Sequence, residues 1–172
     1  MKTRLETIFS RFDHGLWGFY LPVPESIASE FVNGKDRRVE VCINEKITLH
    51  SALMPDKGLW FIMLNKQVVK KLGLQLGDRV SITIEKDHSE YGMPMPEEMF
   101  VCLEQDEIAS DYFSRLSPGK QRSLIYLVSK IKNPDLRIRK SLAILYHLNA
   151  NEGQLDYKML NETFKDFNER LF

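Results

Sequence analysis

The chain has 172 residues, of which 43% are hydrophobic and 28% are charged, and its formal net charge is zero. This composition is typical of a globular protein with a sizeable core, and it lacks the basic excess of many DNA-binding domains. The longest apolar run, residues 59–64, is too short to span a bilayer, and no signal-peptide core follows Met1. We therefore expect a cytoplasmic protein without a membrane span. Cys42 and Cys102 are expected to be reduced, the alternative being a disulfide or a redox role.

Two stretches of the sequence resemble each other. One begins with GLW at residues 15–17 and the other with GLW at residues 58–60. After a two-residue slip near Pro22, positions 41 apart correspond, as Ile27 does to Val68, Phe31 to Leu72 and Arg38 to Arg79. A self-match at a constant offset is the signature of a duplicated supersecondary unit.

Each repeat predicts the order strand, strand, helix, strand. In the first, extended stretches at 5–9 and 17–21 precede a short helix that begins at Pro24 and ends near Gly34, and a strand follows at 38–43. In the second, strands at 47–49 and 59–64 precede a helix that Asn65 caps and Gly73 ends. A last strand of alternating apolar residues is predicted at 79–84.

Neither repeat is large enough to bury its own sheet, so the two are expected to pair about a pseudo-twofold axis. We predict an α+β fold in which two ββαβ repeats form a small β-barrel of about six to eight mostly antiparallel strands, followed by a helical region. The predicted interior residues are Trp17, Phe19, Trp60, Ile62, Val80 and Ile82. An aromatic ligand site is the alternative role of the two tryptophans, although such pairs are more often part of a core.

The second half of the chain predicts helices. Pro94 and Pro96 interrupt regular structure, so the domains are expected at residues 1–92 and 97–172. Helices are predicted over 97–111, in a hairpin over 117–148 whose helices begin at Ser117-Pro118 and Asn133-Pro134, and over 155–172. Helical spacing predicts that the following side chains are buried: Met99, Phe100, Leu103, Leu124, Leu127, Val128, Ile131, Ile138, Leu142, Leu145, Leu148, Leu160, Phe164, Phe167 and Leu171.

Charge is unevenly distributed along this half. Nine acidic residues and only Lys86 lie between positions 85 and 111, a balance of −8. Eight basic residues and only Asp135 lie between positions 115 and 140, a balance of +7. Adjacent blocks of opposite sign either neutralise each other in the fold or form two separate surfaces, and neutralisation is the simpler expectation.

The run LGLQLGDRVSITIEKD at residues 72–87 resembles the swapped-hairpin barrels of the AbrB and MazE type. RVEVCIN at 38–44, LMP at 53–55 and NK at 65–66 extend the resemblance. Those regulators build the barrel from two chains, whereas both halves lie in one chain here. The arrangement over roughly residues 2–90 resembles a single-chain bacterial and archaeal domain of unknown function. This resemblance implies a monomeric barrel.

Residues 116–148 resemble the helical region called bacteriocin-protection or YdeI/OmpD-associated, which often follows this barrel. In that family a run of lysine, threonine and arginine bridges the two helices. The corresponding run here is KIKNPDLRIRK at 130–140, with Leu136 where threonine is usual. The resemblance implies a role in bacteriocin protection or stress resistance, and because the family label describes a phenotype it implies no reaction.

The sequence contains no recognisable catalytic, nucleotide-binding or metal-binding motif. His14, His50, His88 and His147 are scattered, without a second histidine one helical turn away and without a cysteine companion. The densest group of titratable residues, at 87–90, is expected to be a solvated turn. We therefore predict a protein that is not an enzyme and needs neither a metal nor a cofactor.

Two functions remain, and the favoured one is an interaction module. In it the barrel is a scaffold and the helical hairpin presents basic residues to a protein or other anionic partner: Arg115, Lys120, Arg122, Lys130, Lys132, Arg137, Arg139 and Lys140. The alternative is a weak nucleic-acid-binding regulator by analogy with the swapped-hairpin barrels, which is an analogy of fold alone. Its contacts would come from equivalent positions in the two repeats: Lys35, Arg37, Arg38, Lys70, Lys71 and Arg79.

Overall fold

A computed structural model of the chain describes residues 1–13 and 18–170, with side chains up to residue 169. Trp17 and Leu171, both predicted to be buried, lie outside the described residues. The chain separates into two compact units, Met1–Gly92 and Met93–Phe172. Within the described residues, the first contains antiparallel sheets with two short helices and the second contains five helices, so the fold is α+β.

The first unit repeats one order of elements. Its first half contains β1 (Lys2–Ile8), β2 (Ser10–Arg11), β3 (Phe19–Val23), α1 (Glu25–Phe31) and β4 (Arg38–Ile43). Its second half contains β5 (Ile47–Ala52), β6 (Met54–Asp56), β7 (Leu59–Leu64), α2 (Lys66–Leu72) and β8 (Arg79–Lys86). Each half therefore has three strands, a helix and a strand.

The strands form two four-stranded antiparallel sheets, in the orders β1-β8-β4-β5 and β2-β3-β7-β6. The first strand of each half pairs with the last strand of the other half, since β1 pairs with β8 and β5 pairs with β4. The described strands thus belong to two separate hydrogen-bonded ladders, and closure into a barrel remains a prediction.

Local sequence signals explain the turns and helix ends of this unit. The Asn65 side chain accepts a hydrogen bond from the backbone N–H of Val68 (2.8 Å), and Gly73 ends α2 in the left-handed conformation (φ 65°). Asn44 and Glu45, at φ 50° and 57°, make the tight turn between β4 and β5. A tight turn of this kind sets the register of the hairpin that follows.

The core of the first unit lies between the two sheets. Val39, Val41 and Ile43 on β4 and Val80, Ile82 and Ile84 on β8 are all fully buried, while the residues between them are not. This alternation is that of strands with one face in the core. Ile62 is also fully buried, whereas Phe19 and Trp60 are only half-buried and pack at the margin of the core. The prediction that these two rings lie inside is therefore wrong in part.

The second unit consists of α3 (Glu97–Gln105), α4 (Glu107–Arg115), α5 (Pro118–Ser129), α6 (Pro134–Ala150) and α7 (Tyr157–Arg170). The single helix predicted over 97–111 is two helices, because Asp106 ends α3 and caps α4 by accepting from the Ala109 N–H (2.9 Å). The predicted starts of α5 and α6 are confirmed, with Ser117 and Asn133 accepting hydrogen bonds from the first turn of each helix. No helix in the described ranges is long and apolar enough to cross a membrane.

The buried face of the second unit differs from the predicted stripe. Met99, Leu103, Leu124, Val128, Leu145, Leu148, Leu160 and Phe164 are buried as predicted. Phe100, Ile138 and Leu142 are exposed by 51%, 40% and 41%, so their predicted burial is wrong. For Ile138 and Leu142 the reason is that α6 packs against α3, α4, α5 and α7, and that Ser141, Ile144 and His147 are among its buried residues. Both cysteines are free thiols, with Cys102 buried and Cys42 half-buried.

Candidate functional site

Arg137, Arg115 and Lys140, which belong to the basic set predicted on the helical hairpin, contact other groups of the second unit. The Arg137 Nε donates to the carbonyl of Ile131 (2.6 Å), and its Nη1 lies 3.5 Å from the Glu98 carboxylate. Arg115 pairs with Asp111 one helical turn earlier. The Lys140 ammonium sits 3.9 Å above the ring centroid of Phe164. The contacts of Arg137 and Arg115 join the acidic block to the basic block.

The remaining members of the set are less constrained. Lys120, Lys130 and Lys132 are exposed and Arg122 is half-buried. None of these four forms an ion pair with any residue in the described ranges. Arg139 is half-buried and interacts with another group of the protein. Four of the eight positive charges on this hairpin are therefore without an ion pair in the described part of the chain.

The charge is concentrated where α5 meets α6. Burial lowers the pKa of Lys140 from its usual value, and the nearby Lys130 ammonium lowers it further. The second effect is repulsion between two like charges that the fold holds close together. An anionic group bound between Lys130 and Lys140 would remove this repulsion.

The helical unit also contains a groove. It has a volume of about 400 Å³ and lies between α3, α6 and α7, where Cys102, Leu142, Tyr146 and Phe167 supply an apolar lining. Phe167 is one turn along α7 from Phe164, on which Lys140 rests. Asn149 also lines the groove, and its Oδ1 is buried without a hydrogen-bond partner in the described chain. The groove therefore has a mixed lining, in which Gln105, Asp106 and Asn149 lie beside the apolar side chains.

The structure separates Arg38 from Arg79, two members of the alternative basic set. Arg38 and Arg79 begin β4 and β8, and because these strands run antiparallel the two residues lie at opposite ends of the pair. The Arg38 guanidinium donates to the carbonyl of Gly92 (2.6 Å), and Arg79 lies 3.7 Å from Glu6. Lys35, Lys70 and Lys71 are exposed and Arg37 is half-buried.

The structure also contains a cluster that the sequence reasoning missed. Glu40 on β4 lies directly opposite His50 on β5, and Asp87 follows β8, the strand on the other side of β4. The His50 Nδ1 is 3.1 Å from the Asp87 Oδ2 and 3.9 Å from the Glu40 Oε1. Asp87 was expected in a solvated turn with His88 and Glu90, but its side chain has no exposed surface.

Hydrogen bonds fix the charged state of Asp87. Burial acts to raise the pKa of this carboxyl, but hydrogen bonds from Ser89 and His50 outweigh it and hold the pKa below its usual value. Ser89 donates both its backbone N–H (2.9 Å) and its hydroxyl (2.5 Å) to Oδ1. The other oxygen, Oδ2, is left to face His50.

Part of this cluster had a signal in the sequence. A tight turn at Asn44-Glu45 places Glu40 opposite His50 across the hairpin. The position of that turn in the sequence is enough to predict this pair. The approach of Asp87 depends on the register between β4 and β8, where Val39 lies opposite Lys86. That register is set by contacts between distant parts of the chain, which a local pattern does not record.

Family comparisons divide the chain at the same place as the structure. Residues 8–84 match the family model of a domain of unknown function, DUF1905. Residues 93–151 match the family model described as "Bacteriocin-protection, YdeI or OmpD-Associated". The order of the two domains is the one that the sequence resemblance predicts. No curated protein matches the chain.

Proposed function

We propose that the protein is a cytoplasmic, non-enzymatic interaction module of the bacteriocin-protection type, which binds an acidic segment of a partner protein through its helical unit. The family match over residues 93–151 supports the protective role. The observation that carries the binding mode is the set of lysines at the α5–α6 junction that have no ion pair within the described part of the chain. Two free cysteines suit the reducing cytoplasm.

A groove in the same unit defines the partner further. A segment that carries carboxylates would lie over Lys130 and Lys132. An apolar side chain farther along the same segment would enter the groove at Leu142 and Tyr146. An acidic peptide with interspersed apolar residues fits both features, whereas a nucleic acid fits only the charge.

In this proposal the first unit is a scaffold. We infer that it arose by duplication, closes as a barrel of the AbrB and MazE type within one chain, and is monomeric. The repeated order of elements and the exchange of strands between the two halves support this history. The core shared by the two sheets supports closure within one chain.

Matched charge reversals test the proposed surface. Lys130→Glu with Lys132→Glu reverses two exposed lysines of the helical unit, and Lys70→Glu with Lys71→Glu reverses two exposed lysines on α2. Both pairs change the net charge equally. Cells that express each variant at equal levels are challenged with bacteriocins, and we expect the first pair to lose protection and the second to keep it.

A binding assay separates the favoured function from its alternative. The probes are a labelled peptide of alternating glutamate and leucine and a labelled duplex DNA, each measured by fluorescence anisotropy at low and at physiological salt. We expect the peptide to bind the wild type and not the Lys130/Lys132 variant. Tight duplex binding at physiological salt that the Lys70/Lys71 variant abolishes would instead establish the nucleic-acid-binding regulator.

A further inference from the structure

Three neighbouring strands bring Glu40, His50 and Asp87 together on one face of a sheet. Glu40 lies between the fully buried Val39 and Val41, so its side chain points to the opposite, outer face. His50 is its direct partner on β5 and therefore projects on the same face. One nitrogen and two carboxylate oxygens of these side chains all lie within 4.8 Å of one another.

A second layer of hydrogen bonds orients the buried carboxylate. Ser89 donates twice to Oδ1 of Asp87, which directs Oδ2 toward His50 Nδ1 at 3.1 Å. Groups that hold a carboxylate in this way are a regular feature of metal sites, where they fix the direction of the ligand atom. His50 and Glu40 remain 22% and 31% exposed, so solvent reaches the cluster from one side.

The cluster itself has two carboxylates and one imidazole, an excess of negative charge among its three side chains. Glu40 lies directly opposite Glu85 as well as His50, because β4 pairs with β8 on its other side. Like charges directly opposite on paired strands are destabilising. Lys2 lies 3.4 Å from the Glu85 carboxylate, whereas Glu40 and Asp87 share the single imidazole of His50. A bound divalent cation would offset this excess.

From this arrangement we propose that Glu40, His50 and Asp87 form a site for a divalent transition-metal ion such as Zn²⁺, with His50 Nδ1, Glu40 Oε1 and Asp87 Oδ2 as ligands. One imidazole and two carboxylates suit such ions. Bonds of about 2.1 Å to a tetrahedral ion place ligand atoms roughly 3.4 Å apart. The His50 nitrogen is 3.1 Å from the Asp87 oxygen and 3.9 Å from the Glu40 oxygen, and all three atoms lie within 4.8 Å of one another, so side-chain movements bring them to that spacing. Water fills the remaining position on the exposed side.

The fold itself does not require this cluster. At the equivalent place in the other half of the unit, Ser81 lies opposite Glu6 where Glu40 lies opposite His50. The position 41 residues before Asp87 is Lys46, in the turn between β4 and β5. That set of side chains has no imidazole and one carboxylate, so the metal-binding set belongs to one half alone.

Zinc titration of the full chain, in competition with a chromophoric chelator, tests the site. We expect one equivalent of Zn²⁺ per chain and a rise in the melting temperature on binding. His50→Ala and Glu40→Ala are each expected to weaken binding by at least about 10-fold, and Ser89→Ala by about 10-fold through loss of carboxylate orientation. Far-UV circular dichroism checks that each variant folds, and Glu40→Ala carries the test if His50→Ala does not fold.

His88→Ala is the matched control. This exposed histidine is the sequence neighbour of Asp87 and is not among the three proposed ligands, so its removal should leave zinc affinity unchanged. Absence of stoichiometric binding to the wild type, or equal binding by His50→Ala, would overturn the proposal. Binding that disappears only in His88→Ala would place the ion elsewhere and overturn it as well. The outcome is independent of the proposed partner surface, which lies in the other unit.

Discussion

Phe9 and Leu53 hold equivalent places in the two halves of the first unit. Each is a buried residue at a one-residue break between two strands, Phe9 between β1 and β2 and Leu53 between β5 and β6. Each backbone N–H donates a hydrogen bond of 2.9 Å, Phe9 to the carbonyl of Asp78 and Leu53 to that of Arg37. At these two breaks the chain passes from one sheet to the other, so both sheets depend on the same pair of side chains.

Truncation of either residue should therefore unfold the whole unit more easily. We expect Phe9→Ala to lower the free energy of unfolding by about 3–5 kcal/mol and Leu53→Ala by about 2–5 kcal/mol. Ile8→Ala is the control, since Ile8 is 44% exposed and its truncation should change stability by about 0.5 kcal/mol or less. Urea denaturation followed by circular dichroism makes the comparison, and a near-neutral Leu53→Ala would contradict the equivalence.

The second prediction concerns two neighbouring aromatic residues on β7. Phe61 is fully buried, with its ring centroid 5.0 Å from that of Phe12 and 5.7 Å from that of Tyr20, whereas Trp60 is half-buried. We expect Phe61→Ala to lower the free energy of unfolding by about 3–5 kcal/mol and Trp60→Ala to lower it less. The readout is again circular dichroism, because Trp60 contributes to fluorescence. A larger loss for Trp60→Ala would show that the indole ring is the better-packed side chain.

Features that the sequence predicted well have local causes. Asn65, Ser117 and Asn133 each cap a helix with a side-chain oxygen that reaches only two or three residues ahead. The alternation of Val80 and Ile82 with polar residues likewise depends only on a single strand with one face in the core. Such signals need no knowledge of the rest of the chain.

Features that the sequence predicted poorly depend on distant partners. Helix α6 has more apolar residues than one of its faces can bury. The packing of four other helices against it buries Ser141 and leaves Leu142 exposed. Asp87 similarly looked like part of an exposed turn, because its burial comes from Ser89 and from His50 on another strand. The local sequence pattern is the same whether such a residue is buried or exposed, and only its tertiary contacts decide which of the two it is.

The third prediction concerns the contact between the two charge blocks. Arg137 and Glu98 are 29% and 17% exposed, and the Glu98 Oε2 has no hydrogen-bond partner other than this ion pair in the described chain. A double-mutant cycle with Arg137→Met and Glu98→Gln should give a coupling free energy of about 1 kcal/mol. Arg137→Met alone should cost more, since it also leaves the Ile131 carbonyl without its 2.6 Å donor. A coupling free energy of zero would mean that the blocks do not stabilise each other here.

The last prediction is a loss of stability of the helical unit in mild acid, caused by His147. This histidine is 1% exposed, and its Nε2 accepts a hydrogen bond from the backbone N–H of Asp156, just before α7 begins. A protonated nitrogen cannot accept, so protonation at Nε2 removes a contact that holds the start of α7. Burial lowers the pKa of His147 from 6.5, against the opposing effects of the Asp156 carboxylate and the Gln154 backbone.

The sign of the effect follows from that lowered pKa. Between the folded and unfolded pKa values the unfolded chain binds the proton and the folded chain does not, so stability falls as the pH falls below about 6.5. The decrease in stability ends once the pH reaches the pKa of His147 in the folded chain. In His147→Gln the amide oxygen can still accept from Asp156, and this residue no longer titrates. The difference in unfolding free energy between wild type and His147→Gln, measured by urea denaturation across this range, should therefore shrink with acidification. A difference that stays constant with pH would show that His147 titrates alike in the folded and unfolded chains.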